Sequence, residues 1–288
     1  MKEEKVEEEK KEELKEKEVT EDVPVEKIKI DEKAPIEAVV EKPKSPKRDN
    51  KRRTTNTVDL STWEPKTSIG KQVKIGEIKD IDEILDKGIK IMESEIVDTL
   101  LPDLESELLL IGQSKGKFGG GQRRVFRQTQ KKTREGNKPR FSTIAVIGNK
   151  NGYVGVGYGK SKETVPAREK ATRQAKLNIK KIRRGSGTWE STAVEPNSIP
   201  FKVEGKCGSV EIILMPAPKG IGLCVEKECA KILKMAGVKD IWSKTKGQTK
   251  NKINLINALM IALDNLMTTK VKHVDYEKLS IVEGKIKE

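Results

Sequence analysis

Two short β-branched runs and the turn between them constrain the chain more than any other feature. Phe141-Ser-Thr-Ile-Ala-Val-Ile147 and Tyr153-Val-Gly-Val156 are joined through Asn149-Lys-Asn-Gly152. Asn-Gly is a strong hairpin signal because both central residues of such a turn need positive φ. The spacing therefore predicts an antiparallel hairpin. Pro166 then suits the first turn of a helix running to about Ile182. On that helix Ala171, Ala175, Ile179 and Ile182 share one face, and Arg173, Lys176, Lys180 and Arg183 share another. The alternate glycines Gly155, Gly157 and Gly159 imply close approach of a second backbone, either a packed helix or a phosphate chain.

Upstream, Asp80-Ile-Asp-Glu83 reads as a helix start with Asp80 as N-cap. Ile81, Leu85, Met92 and Ile96 line one face behind it, and Pro102 lies past the end. Leu108-Leu-Leu-Ile111 and the segment from Val125-Phe126 onward are both candidates for the first strand, and the pattern does not choose between them. The order is helix, three strands, helix. A second unit follows the linker Gly185-Ser-Gly-Thr. Its strands are expected at Phe201–Val203 and Val210–Leu214, with a break over Pro216-Ala-Pro-Lys-Gly-Ile-Gly222. A helix carrying Cys229, Ile232, Leu233 and Ala236 closes at Gly237. A strand near Val238–Trp242 and a helix with Ile256, Leu259, Leu263 and Leu266 complete a small two-layer α/β unit.

Charge is the other constraint. The chain has 288 residues and a net charge of +14, but residues 1–60 carry 16 basic and 18 acidic side chains, so the remainder carries 43 and 27. Low hydrophobic content (34%) and few aromatics (3%) argue for small domains beside charged segments rather than one large core. Residues 1–60 are expected to be a disordered charged extension, ending in Lys51-Arg52-Arg53, and either a solvated tail or an RNA-tethering arm fits. Residues 61–103 form an N-terminal segment with a helix, 104–184 and 199–270 the two domains, 185–198 the linker and 271–288 a flexible tail.

Between Gly112 and Arg140 there are ten Lys or Arg against one acid, Glu135. Such a field repels itself unless a polyanion neutralises it. The candidate RNA-binding side chains are Lys115, Lys117, Arg123, Arg124, Arg127, Lys131, Lys132, Arg134, Lys138 and Arg140, then Lys160, Lys162, Arg173, Lys176, Lys180, Arg183 and Arg184, with Lys244 and Lys246 further on. Guanidinium forks match phosphates bidentately, and Phe118 can stack on an unpaired base. Trp189 and Trp242 read better as core or domain-junction residues.

Several classes fall away. Gly159-Lys160-Ser161 ends like a phosphate-binding P-loop, but the glycine required five positions earlier is Val154. No apolar run reaches the length of a membrane span. The cysteines Cys207, Cys224 and Cys229 form no C-x-x-C pair, as suits a reducing compartment, and His273 is the only histidine, so no cofactor or metal is expected. No acid/base set for catalysis is present.

Gly148-Asn-Lys-Asn-Gly-Tyr-Val-Gly-Val-Gly-Tyr-Gly-Lys160 with Glu163-Thr-Val-Pro-Ala-Arg-Glu-Lys-Ala171 closely resembles the signature of the small-subunit ribosomal protein S-five family. Pro216–Gly222, Ala236-Gly-Val-Lys-Asp240 and Gly247-Gln-Thr resemble that family's C-terminal domain, and Trp63-Glu-Pro-Lys-Thr67 looks archaeal in type. The resemblance spans about Trp63 to Leu266. It implies an α+β protein: an N-terminal double-stranded-RNA-binding-like domain (α-β-β-β-α) followed by a two-layer α/β domain. It also implies a cytoplasmic ribosomal protein without enzymatic activity, bound to small-subunit rRNA and to the neighbouring proteins numbered four and eight. Such a protein lines the channel through which mRNA enters and supports decoding accuracy. Gln130–Arg140 occupies the place of the family's rRNA-contacting hairpin loop. Where some archaeal relatives carry cysteines and a histidine, this chain has Ser186, Ser191, Ala193 and Asn197, so a zinc site is not expected there.

Overall fold

A computed structural model describes residues 63–114, 123–188 and 195–286, all within one compact unit. The expected disordered extension over 1–60, most of the Gly112–Arg124 loop with Phe118, and Trp189 lie outside the described residues. Three short helices open the fold: α1 (Ser68–Ile75), α2 (Ile81–Asp86) and α3 (Ser94–Leu100). The single helix expected after Asp80 is thus two. Asp80 holds the N-cap position without a side-chain cap bond, and the chain turns at Gly88, whose φ is +66°. Ile91 is buried in place of Met92, which is 60% exposed.

The central sheet contains β1 (Glu105–Leu108), β2 (Arg127–Thr133), β3 (Gly136–Gly148), β4 (Tyr153–Ser161) and β5 (Ile179–Lys181). Strands lie beside both candidates for the first strand, but β1 shares only Leu108 with Leu108–Ile111, and β2 begins at Arg127, after Val125 and Phe126. β1 and β2 share one edge of β3, β1 pairing Glu105–Leu108 with Ala145–Gly148 and β2 pairing Arg127–Thr133 with Gly136–Ser142. The inner half of β3 is buried on both faces, which explains its near-continuous apolar run. Ile144, Val146 and Val154 join the core shared with the second sheet. On the opposite face Gly155, Gly157 and Gly159 meet α4 (Thr164–Leu177). A Cβ at these glycines would collide with the carbonyls of Ala175, Ala171 and Ala167 respectively. The packed helix, not a phosphate, requires them.

Helix α4 ends at Leu177, shorter than the sequence pattern indicates. Asn178 leaves helical geometry, and Ile179 pairs with Gly155 in β5. Ile179 and Ile182 are buried as strand and loop residues, because their spacing suits either structure and the free edge of β4 takes the backbone hydrogen bonds.

The second sheet has the order β7 (Val203–Cys207), β8 (Val210–Pro216), β10 (Ile241–Lys246), β9 (Leu223–Cys224). Helices α5 (Lys227–Ala236) and α6 (Lys252–Thr268) complete this half. Gly237, with φ +85°, caps α5 as its position predicts. The other face of this sheet carries Trp242, Lys244 and Lys246, so Trp242, 37% exposed, is a surface residue and not a core one. The segment read as a loose tail instead forms α7 (His273–Lys278) and β11 (Val282–Glu283), the latter antiparallel to β6 (Arg183–Arg184). It was obscure in sequence because its anchors are two arginines almost 100 residues upstream.

Candidate nucleic-acid interface

Strands β2 and the first half of β3 project as a two-stranded ribbon whose residues are nearly all exposed. Seven cross-strand pairs run from Arg127↔Ser142 to Thr133↔Gly136, a span of roughly 20 Å at strand rise. Side chains of directly paired residues share a face. Arg127, Lys131, Lys138 and Arg140 therefore lie on one face, and Lys160 follows on β4 opposite Ser142. The other face carries Gln128, Gln130, Phe141 and Pro139 with Lys132, and Arg134 sits in the turn. Lys131 stands directly opposite Lys138, a like-charge pairing that costs stability unless an anion bridges it. Lys138 also meets Glu135 at 2.6 Å on the exposed turn. Among the described residues, Arg127, Lys131, Lys132, Arg134 and Arg140 have no ion-pair partner.

At the ribbon's base a cleft of about 630 Å³ is lined by Gly112, Ser114, Arg123, Arg127, Lys250 and Lys252. Arg123 donates to the Lys250 carbonyl at 3.4 Å, and Lys252 is engaged by Glu226 at 3.0 Å. Arg124, Lys162 and Arg173 are exposed. Lys115 and Lys117 lie outside the described residues. Lys244 and Lys246 are exposed on the second sheet and do not share the ribbon's face.

The expected row of cations on α4 does not exist. Lys176 is buried and bonds Asp98 of α3 at 2.6 Å. Burial pushes the Asp98 carboxyl up, opposed by the Lys176 hydrogen bond and charge. Lys180 pairs with Asp264 of α6 at 2.5 Å. Arg183, its side chain 6% exposed, donates to the carbonyls of Leu266 (3.0 Å) and Thr269 (2.8 Å) at the end of α6 and to Glu283 (2.9 and 2.7 Å). Arg184 is buried too, and its Nη2 donates to Asn151 Oδ1 (2.8 Å) and the Gly284 carbonyl (2.9 Å). Desolvation lowers its pKa, partly countered by Tyr153. With β5 and β6 in place of helix, successive side chains alternate direction and reach acids and helix ends inside the fold.

The turn of the signature motif serves the junction between the two halves. Lys150 (φ +57°) and Gly152 (φ +90°) are its left-handed residues, rather than the Asn-Gly pair. The backbone N–H groups of Lys150 and Gly152 donate to the carbonyls of Met235 and Ala236 at the end of α5, at 2.8 and 3.0 Å. Asn149 Oδ1 accepts from the N–H groups of Asn151 and Tyr153 within the turn. The sequence reading missed Tyr158, which is 47% exposed, two residues from Lys160 and on the same face. Face parity offered the signal, since Tyr158 alternates with glycines that must face the helix.

Comparison with known proteins gives the family. Residues 125–183 match the N-terminal domain of ribosomal protein S5, and residues 205–276 match its C-terminal domain. Small ribosomal subunit protein uS5 of Nanoarchaeum equitans is 47% identical over 229 residues, 80% of this chain and 98% of the relative. The chain belongs to the uS5 family of small-ribosomal-subunit proteins. The uS5 proteins of Methanocaldococcus jannaschii (45% over 228 residues, 79% of this chain and 98% of the relative) and Pyrobaculum calidifontis (46% over 210 residues, 73% and 96%) are similarly close. Both uS5 domain matches fall on described elements, the first beginning at the ribbon and ending at Arg183, the second running from β7 into α7.

Proposed function

We propose that this uS5 chain is a structural, non-catalytic component of the small ribosomal subunit in the cytoplasm, and that its ribbon holds rRNA phosphates. The observation that carries this reading is the ribbon itself: six cations against one acid on a projecting element with almost no buried surface. Four of the cations share a face that extends to Lys160. Nothing in the packing of the fold requires those charges, whereas an A-form backbone does. Exposed Tyr158 beside Lys160 adds a platform for an unpaired base. The rigid junction at Lys150–Gly152 fixes the ribbon relative to Lys244 and Lys246 on the second sheet. Family membership supports the finer assignments: contact with the proteins numbered four and eight, lining of the channel through which mRNA enters, and support of decoding accuracy.

The test is sedimentation of native lysate through a sucrose gradient before and after a high-salt wash. Co-migration with small subunits that survives moderate salt is expected. Recovery only at the top of the gradient would overturn the assignment.

A further inference from the structure

We propose that the cleft at the base of the ribbon holds one unpaired RNA nucleotide of the strand whose phosphates lie along the ribbon. This site deepens the reading of the ribbon as a phosphate-binding surface and rests on it.

Both walls of the cleft are held by the backbone. On one side the Gly112 N–H donates to the Arg124 carbonyl at 2.8 Å and the Arg124 N–H to the Gln113 carbonyl at 3.2 Å. A Cβ at Gly112 would collide with the carbonyls of Phe126 and Arg124, so glycine is what lets these two segments close up. On the other side Gly247, with φ +81°, lies against the Ser209 carbonyl. The turn after it is pinned by the Thr249 N–H on the Gly247 carbonyl (2.9 Å) and the Asn251 N–H on the Gln248 carbonyl (3.0 Å). The Gly247-Gln-Thr motif of the sequence therefore forms a wall of the cleft.

Three kinds of side chain line it. Arg123, Arg127, Lys250 and Lys252 supply positive charge, and no acid is among the described lining residues. Of the four, only Lys252 is neutralised, by Glu226 at 3.0 Å. Gln113, Gln248 and Asn251 present carboxamides that bond no other described residue. A carboxamide sets an acceptor beside donors, the complement of a base edge. Ile111 and Ile253 add apolar surface for the face of a base.

Phosphate binding explains the cations alone. A duplex would satisfy them from outside, with its base edges turned into pairs and stacks. The carboxamides and isoleucines serve only a base that has left its stack. A volume of about 630 Å³ lies within the roughly 300–1,000 Å³ of small-molecule sites, which admits a nucleotide but no helix. Unstacking is cheapest for a nucleotide that is already unpaired, so a bulge or a loop is the expected ligand. Arg127 belongs to both surfaces, since it opens β2 on the face shared with Lys131, Lys138 and Arg140 and also lines the cleft. The cleft thus continues the phosphate track of the ribbon. The start of α6 adds the positive end of a 17-residue helix to the same place.

The test measures binding of the full chain to a perfect RNA hairpin and to the same hairpin carrying one unpaired A, C, G or U. At least one bulged version should bind about tenfold more tightly than the perfect hairpin, the size of one good base contact. Replacing both Gln113 and Gln248 by Ala should reduce that advantage below about twofold and leave affinity for the perfect hairpin unchanged. Lys250→Ala should flatten the salt dependence by about one unit for the bulged hairpin only. All three side chains are exposed, so Tm should match the parent. With the parent chain, thiouridine at the unpaired position should crosslink to residues 111–114 or 247–253. Equal affinity for perfect and bulged hairpins, a bulge preference that survives the double substitution, or crosslinks confined to other surfaces would overturn the proposal and leave the ribbon's role standing. Failure to bind either hairpin would overturn the reading of the ribbon, and this site with it.

Discussion

Replacing Arg183 by Met should cripple stability while sparing RNA binding. The guanidinium of Arg183, almost wholly buried, donates to the Leu266 and Thr269 carbonyls that end α6 and twice to Glu283 Oε1 on β11. Methionine fills the volume but donates nothing. Two helix-terminal carbonyls are then left without their partner, and the half-buried Glu283 carboxylate keeps only the Tyr276 hydroxyl. Removing one member of a buried pair costs about 3–5 kcal/mol. For a domain of this size that corresponds to a fall in Tm of roughly 6–20 °C. Lysine should not rescue the loss, because one ammonium cannot reproduce a fork that spans three acceptors. The assay is calorimetry with amide exchange at the end of α6 and in β11. RNA affinity, read well below the lowered Tm, should stay within twofold of the parent. A loss below about 1 kcal/mol, or a tenfold fall in RNA affinity in the folded variant, would refute the assignment of Arg183 to the interior.

Three further outcomes are expected. Burial works to raise the pKa of Glu93, but hydrogen bonds from the Thr67 and Lys66 backbone and from Trp63 outweigh it and lower the pKa. A depressed carboxyl stabilises above its unfolded pKa and loses that contribution as pH falls through the folded value. Protection of the Lys66 and Thr67 amides, taken relative to their intrinsic exchange rates, should therefore fall in acid, and Glu93→Gln should show the same loss of protection at pH 7. Gly157→Ala places a methyl against the Ala171 carbonyl and the Ala175 nitrogen, backbone that cannot step aside. Denaturant titration should register a loss of about 1–3 kcal/mol. Cys229 is wholly buried, and burial with nearby Glu226 pushes its thiol up to about 12, whereas Cys224 is exposed. An alkylating reagent at pH 7.5 should label Cys224 promptly and Cys229 only on unfolding. Equal rates would contradict the placement.

What could be read from the sequence, and what could not, divides along a physical line. Patterns that are local survived. Gly237 ends α5, Pro166 sits in the first turn of α4, and Phe141–Ile147 is strand, its β-branched and mostly apolar run matching a segment buried on both faces. The ribbon's charge needed no long-range partner to be legible. Failures arose where a distant element decided the matter. Ile179 and Ile182 extend a helical stripe in sequence, yet β4 offered a free edge and took them as strand and loop. Lys176, Lys180, Arg183 and Arg184 look like surface cations until Asp98, Asp264, Glu283 with the end of α6, and Asn151 with the Gly284 carbonyl are brought to them in turn. The glycine run could be read as facing a helix or a phosphate, and only the placement of Ala167, Ala171 and Ala175 resolved it.

The most direct test of the ribbon's role is the salt dependence of binding to small-subunit rRNA, comparing the parent with the quadruple alanine variant at Arg127, Lys131, Lys138 and Arg140. Each lost phosphate contact should reduce the slope of log K against log salt by about one unit. The account predicts a slope shallower by about three to four units, with little change in Tm because these side chains are exposed. An unchanged slope in the folded variant would contradict it.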